Sequence, residues 1–448
     1  MKKNAIIVGA GLVGSLWAIY LSKAGYRVSI YERRDDIRKT DISAGKSINL
    51  ALSFRGWKAL DTVGIGDEIR KIALPMYGRV MHDKKGDLSF QAYGEKNQAI
   101  YSVSRGDLNA RMMDLAESYE NTHIFFNHKC VDADLEKGIV YFENSKTGEK
   151  INKKADIIFG TDGAFSAIRT KAMQKTYRFQ YSQHFIEDGY REILLPANKD
   201  GTYKLDKKAL HIWPRGRFML IALPNMNGSF TCTLFMPHEN EQFSFNNLKK
   251  KEEVDAFFKN EFSDFYELMP DIAEKWQDHP LSPLAIIRCY PWKVGKAVLM
   301  GDAAHATVPF YGQGMNSGFE DCSVMHELMK KYGENWDAIF ESFQKIRKSD
   351  GDAIQDLSLH NYHVMRDYVG DPMFLLQKKI EAKFSRNHAD EWLPLYSQIS
   401  FSDIPYSKAL EVGKKQDAIM KEIMQLDDIE SIWESKEIED LILSKLKL

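Results

Sequence analysis

Ala5-Ile6-Ile7-Val8-Gly9-Ala10-Gly11-Leu12-Val13-Gly14-Ser15-Leu16-Trp17-Ala18 opens the chain on a short apolar run, a glycine-punctuated turn and the start of an apolar helix. Ala5 to Val8 reads as a buried strand, Gly9 to Gly14 as a tight turn, Ser15 to Ala24 as a helix with a wide apolar face, and Tyr26 to Tyr31 as a second strand. Together they make a βαβ unit. In such a unit Gly9-x-Gly11-x-x-Gly14 permits the sharp turn, the close approach of a pyrophosphate and the packing of helix on strand. The spacing alone is a weak signal, because glycine supplies 29 of 448 residues and triplets at fixed offsets recur by chance. Glu32 strengthens it, since it ends the second strand 18 positions beyond Gly14, where a carboxylate can accept hydrogen bonds from ribose hydroxyls. The stretch predicts a Rossmann-like, dinucleotide-binding half.

A chain of 448 residues exceeds a single hydrophobic core and predicts two or three structural units. Lys plus Arg number 61 against 63 acids, a net charge of -2, so the basic excess expected of a nucleic-acid binder is missing and a small-molecule partner is the better expectation. Cys130, Cys232, Cys289 and Cys322 are far apart and form no C-x-x-C pair. That argues against a zinc cluster or disulfide framework, predicts no metal, and suits a reducing cytoplasm. Met1-Lys2-Lys3-Asn4 runs directly into the first strand rather than into a signal peptide, and no apolar run approaches the roughly 18 residues of a membrane span.

Further along, 76–100 reads as strands and turns, and 101–119 as a strand end followed by a helix carrying Leu108, Met112, Leu115 and Ala116. From about 175 to 290 strand-like runs (Phe218 to Leu223, Phe230 to Phe235) alternate with turns such as Asn225-Met226-Asn227-Gly228. Ala297 to Met300 returns to a buried, parallel-sheet style, a helix follows from about Asn316 to Lys331, and the chain beyond Asp352 is mostly helical, with Phe374, Leu375, Ile380 and Phe384 on one side. In Glu437 to Leu448, Ile438, Leu441, Ile442 and Leu446 share a face expected to pack on the body, and Lys249-Lys250-Lys251-Glu252-Glu253 reads as a solvated helix start. The fold class expected is α/β (α+β), a Rossmann-like domain with a β-sheet domain and a helical C-terminal region. The units are a discontinuous cofactor domain (1–75, 100–175 and 290–350), a sheet domain (76–99 and 176–289), and a helical region (351–448) covering the site.

Two later motifs bear on which dinucleotide is bound. Ala297-Val298-Leu299-Met300-Gly301-Asp302-Ala303-Ala304-His305 puts a carboxylate at the end of a buried strand, where Asp302 could bind ribitol hydroxyls or merely cap a helix. Pro309-Phe310-Tyr311-Gly312-Gln313-Gly314-Met315-Asn316 then opens a helix whose N-terminal dipole could face an anionic flavin edge. Between the ends of the chain, Ile157-Ile158-Phe159-Gly160-Thr161-Asp162-Gly163-Ala164-x-Ser166-x-x-x-Arg169 repeats the strand, Asp-Gly, helix arrangement, although an Asp-Gly pair alone is an ordinary turn.

In this order the three motifs resemble the flavoprotein aromatic hydroxylases, or group A monooxygenases. The likeness narrows to the kynurenine 3-monooxygenases through Gly45-Lys46-Ser47-Ile48-Asn49-Leu50-Ala51-Leu52-Ser53, Ser102-Val103-Ser104-Arg105-x-x-Leu108-Asn109 and His211-Ile212-Trp213-Pro214-Arg215. Ala222-Leu223-Pro224-Asn225-Met226-Asn227 and Phe230-Thr231-Cys232-Thr233-Leu234-Phe235-Met236-Pro237 belong to the same pattern, which runs from residue 4 to about 405. Lys46 departs from it where the family carries Arg, keeping the charge but not the bidentate fork.

The resemblance implies that Arg79 and Tyr93 hold an amino-acid carboxylate, with Asn361 and Tyr396 completing the polar end and Leu210, Ile221, Phe235, Phe310 and Tyr311 walling the aromatic ring. It places Val13, Glu32, Arg33, Arg34, Ala51, Arg105, Cys130, Asp302, Met315 and Asn316 against FAD, several through backbone atoms, beside Gly9, Gly11, Gly14, Asp162 and Gly314. A guanidinium fork and a phenol suit a carboxylate chemically. Without the resemblance, Arg79 would read as a surface charge and Tyr93 and Tyr396 as core edges, and His305 reads as a structural histidine at least as readily as a catalytic one.

The activity so implied is NADPH- and O2-dependent hydroxylation of L-kynurenine to 3-hydroxy-L-kynurenine through a C4a-hydroperoxyflavin, a step of tryptophan degradation by the kynurenine pathway that leads to NAD. The flavin carries the chemistry and no catalytic side chain is required. A second Gly-rich fingerprint for the nicotinamide nucleotide is missing, as is usual in the family. Three rivals are a flavin-dependent halogenase, whose Trp-x-Trp-x-Ile-Pro motif is absent, a hydroxylase of another aromatic acid, and a non-catalytic FAD-binding protein. The membrane anchor of eukaryotic members is not found after Leu441, which predicts a cytoplasmic protein without a membrane span, a homodimer being among the assemblies allowed.

Overall fold

The computed structural model describes residues 3–39, 49–94, 98–240, 242–365 and 371–447. The opening stretch forms the strand Asn4–Val8, the helix Leu12–Lys23 and the strand Arg27–Tyr31. These strands are parallel, with Ile6 opposite Ser29, and Asn4–Val8 lies at the centre of a six-stranded sheet. The order across that sheet is Lys293–Val294, Ala297–Leu299, Ile157–Gly160, Asn4–Val8, Arg27–Tyr31, Thr122–Phe125. Only Lys293–Val294 runs antiparallel to its neighbour. The strands Asn4–Val8, Ile157–Gly160 and Ala297–Leu299 are almost wholly apolar and buried, as strands covered on both faces are, and every residue from Gly14 to Ser22 of the first helix is buried. That helix starts at Leu12, ahead of the expected Ser15, because the glycine turn closes directly onto it.

A second, seven-stranded sheet runs Leu281–Tyr290, Gln180–Leu195, Phe230–Pro237, Met219–Pro224, Ala209–Pro214, Gly78–His82, Leu88–Ala92. One face packs against a separate aromatic core that includes Trp213, Phe258, Phe265 and Trp276. Strand alternation puts Tyr190, Glu192, Thr233, Phe235, Ile221 and Arg79 on the other face, since Tyr190 pairs with Phe235, Glu192 with Thr233, and Thr233 with Ile221. The fold class is thus the α/β (α+β) one expected from the sequence.

Long helices complete the molecule: Gly314–Tyr332, Trp336–His363, Pro372–Asn387, Tyr406–Ile423 and Lys436–Leu446. In Pro372–Asn387 the buried stripe is Ile380 and Phe384, with Met373 and Leu376 partly buried beside them. Leu375, expected on that side, is exposed, because it lies one residue, about 100°, off the stripe. The last helix packs on the body, with Ile438 and Ile442 buried against Ile419, Met420 and Ile423. Lys251–Glu261 begins at the expected charged run, where the Glu253 carboxylate accepts from the backbone N–H of Lys249 (3.0 Å) and Lys250 (2.9 Å).

Candidate active site

Each glycine of the first turn has a distinct physical reason. Gly9 has φ +99°, and a Cβ on it would lie 2.7 Å from the Thr161 carbonyl oxygen. On Gly14 a Cβ would lie 2.1 Å from the Gly9 carbonyl oxygen, so helix and strand can meet only there without a side chain. A Cβ on Gly11 would meet no atom within 4 Å, which leaves the helix N-terminus open to a close-lying ligand. Glu32 accepts from the Ala10 and Arg34 backbone N–H groups, both at 3.0 Å, which holds its carboxylate at the lip of that opening with lone pairs to spare. Arg33 and Arg34 beside it are exposed.

The Asp-Gly motif meets this turn from the next strand. Asp162 Oδ2 accepts from the Ala167 (2.6 Å) and Ile168 (3.2 Å) N–H groups, while its Oδ1 is buried with no partner among the described residues. Burial raises the Asp162 pKa against those backbone bonds. Cys130 is also buried, its thiol pushed up by burial and by the Asp162 charge. Arg169 donates to the Ala303 carbonyl oxygen at 2.6 Å, tying the Asp-Gly motif to the Gly301–His305 turn. In that turn Gly301 adopts φ +58° and a Cβ there would strike Val13 at 2.8 Å, so Asp302 projects outward, exposed, at the first residue of a short helix.

The loop Pro309–Tyr311 leads through Gly312, at φ +68°, into the helix that starts at Gly314, two residues earlier than expected. The Asn316 amide is engaged by protein: Oδ1 accepts from Ser53 N–H (2.9 Å), and Nδ2 donates to the carbonyls of Ala51 (2.9 Å) and Gly312 (3.0 Å). Gly314, Met315 and Asn316 form the first turn of that helix, and Ala51 is held against the same loop. An open glycine turn, an unpartnered buried carboxyl oxygen and a second free helix N-terminus fit a dinucleotide carrying a flavin.

The residues expected at the substrate end are brought together from four distant parts of the chain. Arg79 lies over the ring of Tyr93 (5.2 Å) and over that of Tyr396 (4.6 Å), and Tyr396 stacks in turn on Tyr93 (5.3 Å) and Tyr311 (5.9 Å). The Arg79 Nε and the Tyr93 hydroxyl are buried without hydrogen-bond partners, and no carboxylate pairs with Arg79 among the described residues. Burial raises the Tyr93 and Tyr311 hydroxyls above the ordinary tyrosine pKa. Leu210 and Ile221 pack with Tyr93 and Tyr396. Ile221 also joins Phe235 and Phe310, whose rings are 5.0 Å apart. Asn361 donates to the Phe310 carbonyl oxygen at 2.7 Å, tying the helix Trp336–His363 to the aromatic loop. A small cleft, open to solvent, lies alongside, lined by Met219, Phe235, Phe310 and Tyr362 among others.

Some residues of the site carried no sequence signal. Asn49 Nδ2 donates to Asn225 (2.7 Å), to Ser102 (3.0 Å) and to the Pro224 carbonyl (3.1 Å), while its Oδ1 accepts from Thr231 (3.2 Å). This cluster is the physical tie between segments that read only as separate motifs. Glu192, on the site face of the second sheet, is buried with no hydrogen bond to its carboxylate among the described residues, and burial pushes its pKa up to about 7 against the charge of Arg105, which stands exposed at the start of the helix Arg105–Glu117. Alternation in a strand says that Glu192 and Arg191 face opposite ways, but not which of them faces the site. Tyr362, 4.7 Å from Phe310, is hidden in the same way within a long helix. His305 is structural: its Nε2 lies 2.7 Å from buried Asp321, which also accepts from Gly301 N–H (2.8 Å) and pairs with Arg347 (2.7 Å). Lys46 and its neighbours 45–48 lie outside the described residues.

No group of His, Cys, Asp and Glu able to hold a metal ion occurs among the described residues, and none of their helices is long and apolar enough to cross a membrane.

A family model described as "FAD binding domain" matches residues 2–357. The kynurenine 3-monooxygenase of Flavobacterium johnsoniae is 51% identical over 98% of this chain and 98% of its own length. That of Christiangramia forsetii is 50% identical over 100% and 99%, and that of Sus scrofa 41% identical over 91% and 86%. Among solved structures, p-nitrophenol 4-monooxygenase of Pseudomonas putida superposes with a TM-score of 0.64 at 19% identity, covering 94% of this chain and 96% of that one. The 2-methyl-3-hydroxypyridine-5-carboxylic acid oxygenase superposes at 0.64 and 19%, covering 83% and 94%; at such identity these two speak for the fold alone. A dinucleotide groove of this geometry, a matching FAD-binding domain and near-full-length relatives together make this an FAD-dependent monooxygenase that belongs to the kynurenine 3-monooxygenase family.

Proposed function

We propose that this chain hydroxylates L-kynurenine to 3-hydroxy-L-kynurenine, with FAD as bound cofactor and NADPH and O2 as co-substrates. The observation that carries the reading is the Arg79 guanidinium, largely enclosed by Tyr93, Tyr311 and Tyr396 and without a carboxylate partner among the described residues. An unpaired charge in a partly buried site is costly, and a ligand carboxylate would compensate it with a charge-assisted, forked hydrogen bond. Tyr93, whose buried hydroxyl has no partner among the described residues, supplies a second donor. L-Kynurenine has an amino-acid carboxylate at one end and an aminophenyl ring at the other, matching a cationic box that adjoins the apolar walls Leu210, Ile221, Phe235 and Phe310.

The residues of the chain orient and enclose. Arg79 and Tyr93 anchor the carboxylate, which fixes how far the ring reaches toward the Pro309–Asn316 loop. Ile221, Phe235 and Phe310 hold the ring and exclude water, which protects the coupling of reductant use to product. Asn361 keeps the Phe310 backbone in place through its 2.7 Å bond. Bound FAD supplies the redox chemistry and the activation of O2. Residues 1–75, 100–175 and 290–350 carry the cofactor, 76–99 and 176–289 the substrate sheet, and 351–448 the cover.

The test is NADPH oxidation by the purified yellow protein with and without L-kynurenine, with products resolved by chromatography. Stimulated oxidation with 3-hydroxykynurenine is the expected outcome. Unstimulated oxidation, or H2O2 as the sole product, would leave an FAD monooxygenase of the wrong substrate class.

A further inference from the structure

The strand Gly78–His82 carries Arg79 on the site face, and its neighbour Leu88–Ala92 is exposed along its whole length. Its buried support is Ala209–Pro214, with Arg79 opposite Leu210. His82, an odd number of residues from Arg79, points to the opposite face and is 3% exposed. There it enters an unbroken hydrogen-bond chain. The His82 Nδ1 lies 2.7 Å from Asp264 Oδ2, which also accepts from Trp213 Nε1 at 2.7 Å. The His82 Nε2 lies 2.9 Å from His211 Nδ1, and the His211 Nε2 lies 2.9 Å from the Asp206 carbonyl oxygen. The His82 ring also stacks on Trp213 at 3.9 Å.

Counting protons along the chain shows what it holds. A carboxylate and a carbonyl can only accept, so His82 Nδ1 and His211 Nε2 must both donate. The link between the two rings needs a third proton. Two neutral imidazoles carry one N–H each, so three protons on four ring nitrogens make one ring an imidazolium. Burial lowers the His211 pKa to about 4, with the His82 charge adding to that effect and the Asp206 bond opposing it, so His211 is the neutral acceptor. The countercharge is Asp264, which the His82 and Trp213 bonds hold below the ordinary aspartate pKa although burial opposes them. Arg215 donates to the carbonyls of His82 (3.0 Å) and Asp83 (3.1 Å), and Lys84 pairs with Glu261 (2.8 Å). The Arg215 charge also acts on Asp264, Glu261 and Asp83, so Asp264 faces two cations.

We propose that His82 is a positioning residue for Arg79, held as an imidazolium between Asp264 and a neutral His211, and that this buried proton fixes the strand presenting the guanidinium to substrate. The proposal rests on the reading of Arg79 as the carboxylate anchor. Without the proton one link of the chain is lost, either between the two rings (2.9 Å) or from His211 to the Asp206 carbonyl (2.9 Å), and the clamp on the strand loosens.

The test uses FAD-loaded Asp264→Asn, which keeps the shape and an acceptor but removes the countercharge. With wild type, KM for L-kynurenine stays level between about pH 6 and 8. In Asp264→Asn it rises by about tenfold over the same window, with kcat changed less than about twofold. The Tm of the substrate-free holoenzyme falls in parallel. A level KM in Asp264→Asn overturns the proposal, whether or not Tm moves. Arg79→Ala is measured alongside: an unchanged KM there overturns the anchor reading itself, and the positioning role with it. Should Asp264→Asn fail to fold, NMR of wild type labelled with ¹⁵N-histidine counts exchange-protected ring N–H protons on His82 and His211. Three are expected, and two would overturn the assignment.

Discussion

The guanidinium of Arg79 lies 4.6 Å above the ring of Tyr396, joining a strand of the second sheet to the short helix Leu395–Ser400 of the C-terminal region. The ring face offsets part of the buried charge but supplies no acceptor. Arg79→Ala is therefore expected to raise KM for L-kynurenine by about 10- to 100-fold, the worth of a charged hydrogen bond, while FAD stays bound. Arg79→Lys keeps the charge without the fork and falls between. Steady-state kinetics with a flavin absorbance spectrum checks both.

Gly11 and Gly14 separate the two uses of glycine in one turn. Gly14→Ala drives a methyl into the Gly9 carbonyl at 2.1 Å, so loss of soluble, yellow protein is expected. Gly11→Ala meets no protein atom within 4 Å, and the fold is expected to survive while FAD affinity falls by about tenfold or more. Fluorescence titration of apoprotein with FAD, beside circular dichroism, distinguishes the two.

Glu192, with a pKa pushed up to about 7 by burial, binds its proton more tightly folded than unfolded. A raised carboxyl pKa means that stability declines as pH climbs from the unfolded value, near 4.5, through 7. Glu192→Gln removes that penalty, and a gain of about 1–3 kcal/mol at pH 8, vanishing near pH 4, is expected in thermal melts. A gain that is the same at both pH values would contradict it.

Arg347 is buried and bonds Asp321 (2.7 Å), Glu320 (2.7 Å) and Asp350 (3.4 Å), linking the helices Gly314–Tyr332 and Trp336–His363 beneath the Gly301 turn. Arg347→Ala removes the cation these carboxylates share, leaving Glu320 to Arg55 and Asp321 to His305, and is expected to cost about 3–5 kcal/mol in denaturant unfolding. Burial works against ionisation of Asp321, but His305 and Arg347 outweigh it and depress the pKa. Its stabilising share is thus present above the usual aspartate range and lost as pH falls below about 4, which an acid titration of wild type against Arg347→Ala would reveal.

Asn361→Ala frees the Phe310 carbonyl and loosens the aromatic loop. More H2O2 and less product per NADPH is expected, with KM little changed, since the side chain holds the loop and not the carboxylate. A rise in KM alone would place Asn361 on the substrate instead.

The βαβ opening, the Asp-Gly motif and the Asp302 turn could be read from sequence because each is local: strand, turn and helix lie within about twenty residues, and glycine is demanded by backbone geometry alone. The strand-like runs Phe218 to Leu223 and Phe230 to Phe235, set off by turns, likewise marked the strands Met219–Pro224 and Phe230–Pro237. Leu375 misled because four apolar residues in a helix suggest a stripe, whereas packing selects only those within its width.

Arg79, Tyr93, Asn361 and Tyr396 could be named only by resemblance, for nothing in their neighbourhoods distinguishes a surface arginine or a core-edge tyrosine from a binding group. Local sequence thus determined the cofactor half, whose turns carry their own steric requirements. Tertiary structure alone decided which charges are left unpaired: that among the described residues Arg79 lacks a carboxylate while Arg347 has three, that Glu192 faces the site while Arg191 faces away, and that His82 meets Asp264 and His211. Burial and pairing are properties of what packs against a residue, and those partners come from chain segments far apart in sequence.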